Sequence, residues 1–347
     1  MKRRCLFQWG IVITIIAVFV GCSKDEKSRI VKGAEGTYMV GRMDDSIVML
    51  WKDGVGIKLS GMGTHANDVY VSNGDVYVVG DASKGYTYMS VLWKNGVPIV
   101  LYEGRTNALS VAVSGNDVFV AGFISDENRK SAATLWKNGE LGILDGEECR
   151  AHSVAVSGSD VYVAGDKDNI DGSCDILLWK NGESTVLGKS IAGFVDEKIS
   201  VSDNNVYVLA TTWKFAEGYT SFVWKNGEEF LFEGSETGAR VNDVFAIGGD
   251  VYMTGDVDNE KGARTAVFWK NGKITKLYEG WWNAWGDDIF VTEEYVYVVG
   301  QVYDPSKIAM TKLWKVNRAT GSIQTVNLSD GTRKMDVSDL FVVEDER

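Results

Sequence analysis

ALSVAVSGNDVFVAGFISDENRKSAATLWKNGELGILDG, residues 108–146, is one copy of a unit that recurs seven times along this 347-residue chain. Val111 to Val113 reads as a short apolar strand and Gly115-Asn116 as a tight turn. Val118 to Ala121 is a second strand rich in β-branched and aromatic residues. After a polar loop comes Ala133 to Lys137, then Asn138-Gly139, the pair a type I′ hairpin demands because both central residues need positive φ. Leu141 to Leu144 closes the unit. Four antiparallel strands, named A to D, therefore make one repeat.

Trp51, Trp93, Trp136, Trp179, Trp224, Trp269 and Trp314 each head a Trp-Lys-Asn-Gly-like tetrapeptide. Self-similarity at about 40 to 45 residues belongs to propeller blades, small sheets that bury their faces only by stacking on their neighbours. The innermost strand reads apolar without alternation, as in Val154-Ala155-Val156 and Ile289-Phe290-Val291, which fits a strand covered on both faces. Pro98 falls in an outermost strand, where a missing N–H is tolerated. The first repeat begins at Tyr38 with strand B, while Asp339 to Glu344 matches strand A of the seventh repeat, Asp288 to Glu293. The fold class is therefore all-β: a seven-bladed β-propeller of four-stranded antiparallel blades, closed by the C-terminal strand completing the first blade.

The expected organisation is a lipoprotein signal peptide over 1–21, a lipidated N-terminus and tether over 22–35, and the propeller over 36–347. Lys2, Arg3 and Arg4 precede the apolar run Ile11 to Val20, a secretory signal too short to span a membrane. Phe19 to Cys22, FVGC, resembles the lipobox of bacterial lipoproteins, and that resemblance implies lipid on Cys22. Ser23, Lys24, Asp25 and Glu26 resemble the surface-export signal of lipoproteins of the Bacteroidota. The repeat itself, over residues 36–344, resembles those of propeller lipoproteins of the same phylum, and lacks the Gly-His and Trp-Asp pairs of WD40 blades and the double glycine of kelch blades. The resemblance implies fold and address, an outer-membrane lipoprotein on the cell surface or the periplasmic face, and no activity.

Loss of Lys2, Arg3 and Arg4 takes the formal net charge from -12 to -15, which disfavours nucleic acid and anionic lipid heads as partners. A monomer is expected. Of the cysteines left after cleavage, Cys149 and Cys174 remain for an oxidising compartment and are a candidate disulfide.

Residues repeated seven times are structural, so function is sought in what varies. From the first strand A residue to the glycine ending strand B the spacing is 11, as from Val154 to Gly165, and Ala210 replaces that glycine in the fifth blade. The B–C and D–A loops vary in length and share one face, which makes that face the functional candidate. The enlarged turn Val316 to Gly321 lies on the other. Four residues before each strand A start stand His65, Asn107, Arg150, Val195, Arg240, Trp285 and Asp336, expected to ring the channel mouth and, by their variation, to be released from packing. Beyond the signal and the repeat, the remaining tryptophans, Trp213, Trp281, Trp282 and Trp285, all fall in loops of this face.

No phosphate-cradling loop, nucleotide fingerprint or GxSxG elbow appears, so no catalytic residue or cofactor is assigned. The two histidines, His65 and His152, lack the carboxylate or cysteine spacing of a zinc site, and the acidic loops 166–172 and 256–260 lack the terminal acid of a calcium loop; no metal is expected. Three readings follow. The first is a lipid-anchored binding module for a carbohydrate or protein partner, using Trp213, Trp281, Trp282, Trp285, Arg150, Arg240, His65, Asn107 and Asp336. The second is a glycan-acting hydrolase or lyase with Glu197, Asp287 and Asp336 converging at the channel mouth. The third is an envelope assembly scaffold.

Overall fold

A computed structural model describes residues 33–344, apart from 45–46, 60–62, 191–193, 215–217, 236–237, 261, 305–308 and 330. Cys22 and the whole segment 1–32 lie outside the described residues. No helix among the described residues is long and apolar enough to cross a membrane.

The strands run in chain order through seven four-stranded antiparallel sheets. β1 (Gly36–Met43), β2 (Ile47–Lys52) and β3 (Val55–Lys58) belong to blade one. Blade two is β4 (Gly63–Ser72), β5 (Asp75–Lys84), β6 (Thr87–Lys94) and β7 (Val97–Glu103). Blade three is β8 (Arg105–Ser114), β9 (Asp117–Ser125), β10 (Ser131–Lys137) and β11 (Glu140–Glu147). Blade four is β12 (Cys149–Ser157), β13 (Asp160–Asp168), β14 (Cys174–Lys180) and β15 (Glu183–Ser190). Blade five is β16 (Phe194–Ser202), β17 (Asn205–Lys214), β18 (Gly218–Lys225) and the short β19 (Glu228–Glu229). Blade six is β20 (Arg240–Ile247), β21 (Asp250–Asp258), β22 (Arg264–Lys270) and β23 (Lys273–Lys276). Blade seven is β24 (Asn283–Val291), β25 (Tyr295–Tyr303), β26 (Met310–Asn317) and β27 (Ile323–Asn327). β28 (Met335–Val343) pairs antiparallel with β1, from Gly36 opposite Val343 to Met43 opposite Met335, and so completes blade one.

The repeated tetrapeptide has a physical reason at each letter. The seven tryptophans are buried in the seams between blades. The lysine and asparagine hold the acid that opens strand B: Lys94 Nζ lies 2.7 Å from Asp75, Asn95 Nδ2 donates to the same carboxylate at 2.8 Å, and the Val76 N–H donates to Asn95 Oδ1 at 2.9 Å. Blades three, four and six repeat this with Asp117, Asp160 and Asp250. Asn138 and Gly139 take φ of 54° and 85°, as the type I′ turn requires.

Neighbouring blades are also stitched around the channel. The residue just before each apolar strand A triplet accepts a backbone N–H of the next blade: Val111 to Asp68 at 2.7 Å, Val154 to Ser110 at 3.2 Å, Ile199 to Ser153 at 3.3 Å, Ile289 to Asp243 at 3.2 Å, Leu340 to Asp288 at 2.7 Å and Val69 to Asp339 at 2.9 Å. Lys198 holds this position in blade five and has no acceptor to offer, so the stitch moves to Ser200, whose Oγ takes the Ala246 N–H at 2.9 Å.

The expected Cys149–Cys174 disulfide is not formed, and both residues keep buried thiols. Cys149 on β12 pairs with Lys167, and Cys174 on β14 pairs with Asp168, so β13 runs between them. Two strand spacings amount to about 9–10 Å, beyond the roughly 7 Å limit for a bridge. Cys174 Sγ instead donates to Asp166 at 3.1 Å.

Candidate functional site

The rim residues expected to be free of packing are engaged in polar sutures. Arg42 Nη1 lies 3.1 Å from His65 Nε2 between blades one and two, and Asn107 Nδ2 donates to Asp81 at 2.8 Å between blades two and three. Gln301 Nε2 donates to Asp336 at 3.4 Å between blades seven and one, with Lys334 3.1 Å from the same carboxylate. Arg150 grips Asp166 through Nε and Nη2 and reaches Asp168 at 2.9 Å. Variation at this position thus goes with different polar partners, on the neighbouring blade for His65, Asn107 and Asp336 and within blade four for Arg150. Burial, then the Arg42 charge, hold the His65 pKa below its ordinary value.

Arg240 is placed differently. Its guanidinium stacks over the Tyr219 ring at 4.2 Å, while its Nε is buried without a hydrogen bond. Tyr219 is the register partner of Trp213 across β17 and β18. Trp281 and Trp282 sit in the loop from blade six to blade seven, 74% and 43% exposed, and Trp285 on β24 is half-buried. Among the described residues, the strongly exposed aromatics are Tyr86, Tyr88, Trp213, Tyr219, Trp281, Trp282 and Tyr303, and every one lies at the B–C or D–A loops. Most exposed aliphatic side chains, Val97, Ile143 and Val186 among them, lie on the outermost strands, while Ile170 shares the loop face.

The three acids expected to converge fall into two groups. Asp287 lies where the Arg240, Asp336 and Asp256 charges act on it; burial raises its pKa to about 7 against the pull of Arg240, and its Oδ2 is buried without a hydrogen bond. Glu197 instead joins His152 and Asp166 in the seam between blades four and five. His152 Nε2 is 2.9 Å from Asp166 Oδ1 and 3.5 Å from Glu197 Oε2. Burial pushes the Glu197 carboxyl upward. Burial also opposes a charged His152, but the Glu197 and Asp166 carboxylates outweigh it and raise the imidazole pKa. Asp166 is likewise disfavoured by burial as an anion, yet bonds from His152 and Arg150 hold it below the usual carboxylate range. His65 is bonded to Arg42 and is no partner of this group.

Sequence reading missed the channel wall itself. A cavity of about 240 Å³ is ringed by Asp68, Ser110, Ser153, Lys198, Asp243, Asp288 and Asp339 on the loop side. The same cavity is also lined by Tyr70, Phe245, Phe290 and Phe341, which pack ring against ring at 4.7–4.9 Å. Burial works against a charged Lys198, but Asp196, Asp243, Asp288 and Asp339 hold it protonated. The signal was present one residue before each apolar triplet, where a polar side chain recurs in all seven copies.

These features define a seven-bladed β-propeller with a variable, aromatic-rich loop face. Neither a protein-family model nor a curated protein sequence matches the chain. Solved structures match its fold. Acylaminoacyl peptidase of Pyrococcus horikoshii aligns with TM-score 0.53 at 15% identity, over 85% of this chain and 50% of that one. A puromycin-hydrolyzing peptidase of Mycobacterium tuberculosis aligns with TM-score 0.55 at 11% identity, over 88% and 54%. The chain thus spans about half the length of both peptidases. The β-propeller domain of the Trilobed protease from Pyrococcus furiosus is matched over 97% of its length and 87% of this chain, with TM-score 0.53 and 14% identity. That domain is described as having an open velcro topology, whereas here β28 is hydrogen-bonded to β1.

Proposed function

We propose that this protein is a lipid-anchored, extracytoplasmic recognition module of the Bacteroidota lipoprotein type, held by Cys22 and binding a carbohydrate or protein ligand through its loop face. The observation that carries the reading is the one-sided placement of the exposed aromatics. Indole and phenol rings stack on the C–H faces of sugars and act as anchors in protein interfaces, and exposing them together on one face is costly without such a use. Trp281 and Trp282 stand next to each other in one loop, both exposed, with Arg240 on Tyr219 adding a cation on the same face. The test is a screen of soluble and insoluble polysaccharides and of extracellular matrix proteins against the purified chain and its Trp281→Ala/Trp282→Ala variant. A ligand whose binding falls about tenfold or more in the variant, at unchanged melting temperature, supports the reading; binding indifferent to both tryptophans overturns it.

A second reading is favoured by Asp287 and by the peptidases that share the fold. A carboxyl whose pKa is raised to about 7 beside Asp336 is a candidate proton donor near neutral pH, as an enzyme acting on extracellular glycan or peptide needs. Turnover of a polysaccharide or peptide substrate that is abolished in Asp287→Asn would establish it, and turnover indifferent to that change would dismiss it.

A further inference from the structure

We propose that His152, Asp166 and Glu197 form a binding site for one divalent transition-metal ion of the zinc class, set in the seam between blades four and five.

The first support is a substitution of character at one place in the architecture. In five of the blade seams an apolar side chain from the bulged start of the inner strand is buried against the preceding blade: Ala66, Ala108, Ala151, Val241 and Val337. Blade five has no bulge, so Glu197 keeps phase with Ile199, which packs on Tyr162, Ala164 and Ile176 of blade four. An acid therefore occupies the apolar slot. It is fully buried, and neither of its oxygens accepts a hydrogen bond. A carboxylate so placed is costly unless a partner takes up its charge.

The second support is donor geometry. One ligand atom from each of His152, Asp166 and Glu197 can be chosen so that all lie within 4.8 Å of one another. Ligands at about 2.0–2.2 Å around a tetrahedral ion stand roughly 3.3–3.5 Å apart, and the 3.5 Å between His152 Nε2 and Glu197 Oε2 already meets that spacing. The 2.9 Å between His152 and Asp166 needs to open by a few tenths of an ångström. Arg150 holds both oxygens of Asp166, Nη2 on Oδ2 and Nε on Oδ1 at 3.1 Å, which fixes the carboxylate with Oδ1 toward His152, the outer support that ligating carboxylates commonly have. One imidazole nitrogen and two carboxylate oxygens suit zinc, cobalt or manganese, and the partial exposure of His152 leaves a side on which water completes the coordination.

The test uses the full chain stripped with a chelator and titrated with ZnCl2 by calorimetry and with CoCl2 by visible absorption. The expected result is one Zn2+ per chain, a melting temperature raised by Zn2+, and the intense d–d bands of a four- or five-coordinate Co2+. Glu197→Gln, close in shape and neutral, is expected to fold and to bind Zn2+ at least about tenfold more weakly, and His152→Gln likewise. Absence of Zn2+ binding by the stripped wild type, or a Glu197→Gln variant that binds as the wild type does, overturns the site. Should either variant misfold, the Co2+ spectrum of the wild type decides alone: the weak bands of a six-coordinate, water-like ion overturn the proposal.

Discussion

Glu197 lies opposite Ala210 across β16 and β17, and around this pair the inner strand of blade five keeps an unbroken register. In the other six blades the register slips by one residue at the equivalent place, with Gly41, Gly80, Gly122, Gly165, Gly255 or Gly300 in the partner strand. The glycine and the slip are one device. The bulge turns the carbonyl of the residue two before its unpaired one, Arg150 before His152 and Asn107 before Leu109, onto the partner strand, and only a residue without Cβ leaves room. A Cβ on Gly165 would run into the Arg150 carbonyl oxygen, and one on Gly122 into that of Asn107. Ala210 has its Cβ, and the strand opposite stays regular.

Opposite outcomes follow for two mirror substitutions. Gly165→Ala forces a backbone shift in a packed seam and should cost about 1–3 kcal/mol or more. Ala210→Gly meets no clash and should cost about 0.5–1 kcal/mol, the entropy of a strand glycine. Denaturant midpoints at constant m-value measure both; equal costs would show that the glycine serves something other than the bulge.

The blade count, the closing strand, the Asn-Gly turns and the sidedness of the loops were legible because each depends on local chemistry repeated seven times. Ala210 was also visible as the exception. Its consequence was not, because a missing bulge changes the phase of β16 and so carries Glu197 from the expected channel mouth into the seam with blade four. The disulfide misled for a related reason: Cys149 and Cys174 share a face and an end of blade four, but sequence spacing does not measure the strand between them. Rim residues such as Asn107 and Asp336 vary because their partners Asp81 and Gln301 vary on the neighbouring blade, a covariation that a single repeat cannot display.

The thiols give a direct check on blade four. Burial, then the Asp145 charge, raise the Cys149 thiol to about 11, and burial with Asp166 raises Cys174 beyond the usual thiol range. Protonated and buried, neither reacts in the folded domain. A thiol reagent applied to a chain beginning at residue 33 should label no cysteine in native buffer and two on unfolding without reductant. No labelling on unfolding would restore the disulfide.

Lipidation at Cys22 rests on the string Phe19 to Cys22 after an apolar run. Cys22→Ser should leave the chain in the soluble fraction after cell breakage, whereas the wild type partitions with membranes. Protease added to intact cells should then degrade a surface-displayed propeller and spare a periplasmic one. Equal partition of the serine variant and the wild type into membranes would remove the anchor from the account.

Asp287 makes the stability of the propeller depend on pH in a set direction. Its carboxyl titrates at about 7 in the folded protein because burial disfavours the anion, against an ordinary value of 3.8. Below about pH 4 both folded and unfolded chains hold the proton, and its full contribution is present. As pH rises from 4 to 7 the unfolded chain gives up its proton while the folded chain keeps it, so stability declines, and the decline levels off once the folded carboxyl ionises. Each pKa unit is worth about 1.4 kcal/mol, and partial access of the side chain to water, with Arg240 nearby, reduces the total to the order of 2 kcal/mol. Asp287→Asn is neutral throughout. The stability of this variant minus that of the wild type should therefore rise by about that amount between pH 4 and pH 8, every other titrating group cancelling in the difference. Chemical denaturation of both proteins across that range measures it, and a flat difference would mean that Asp287 is ionised and solvated in the folded ring.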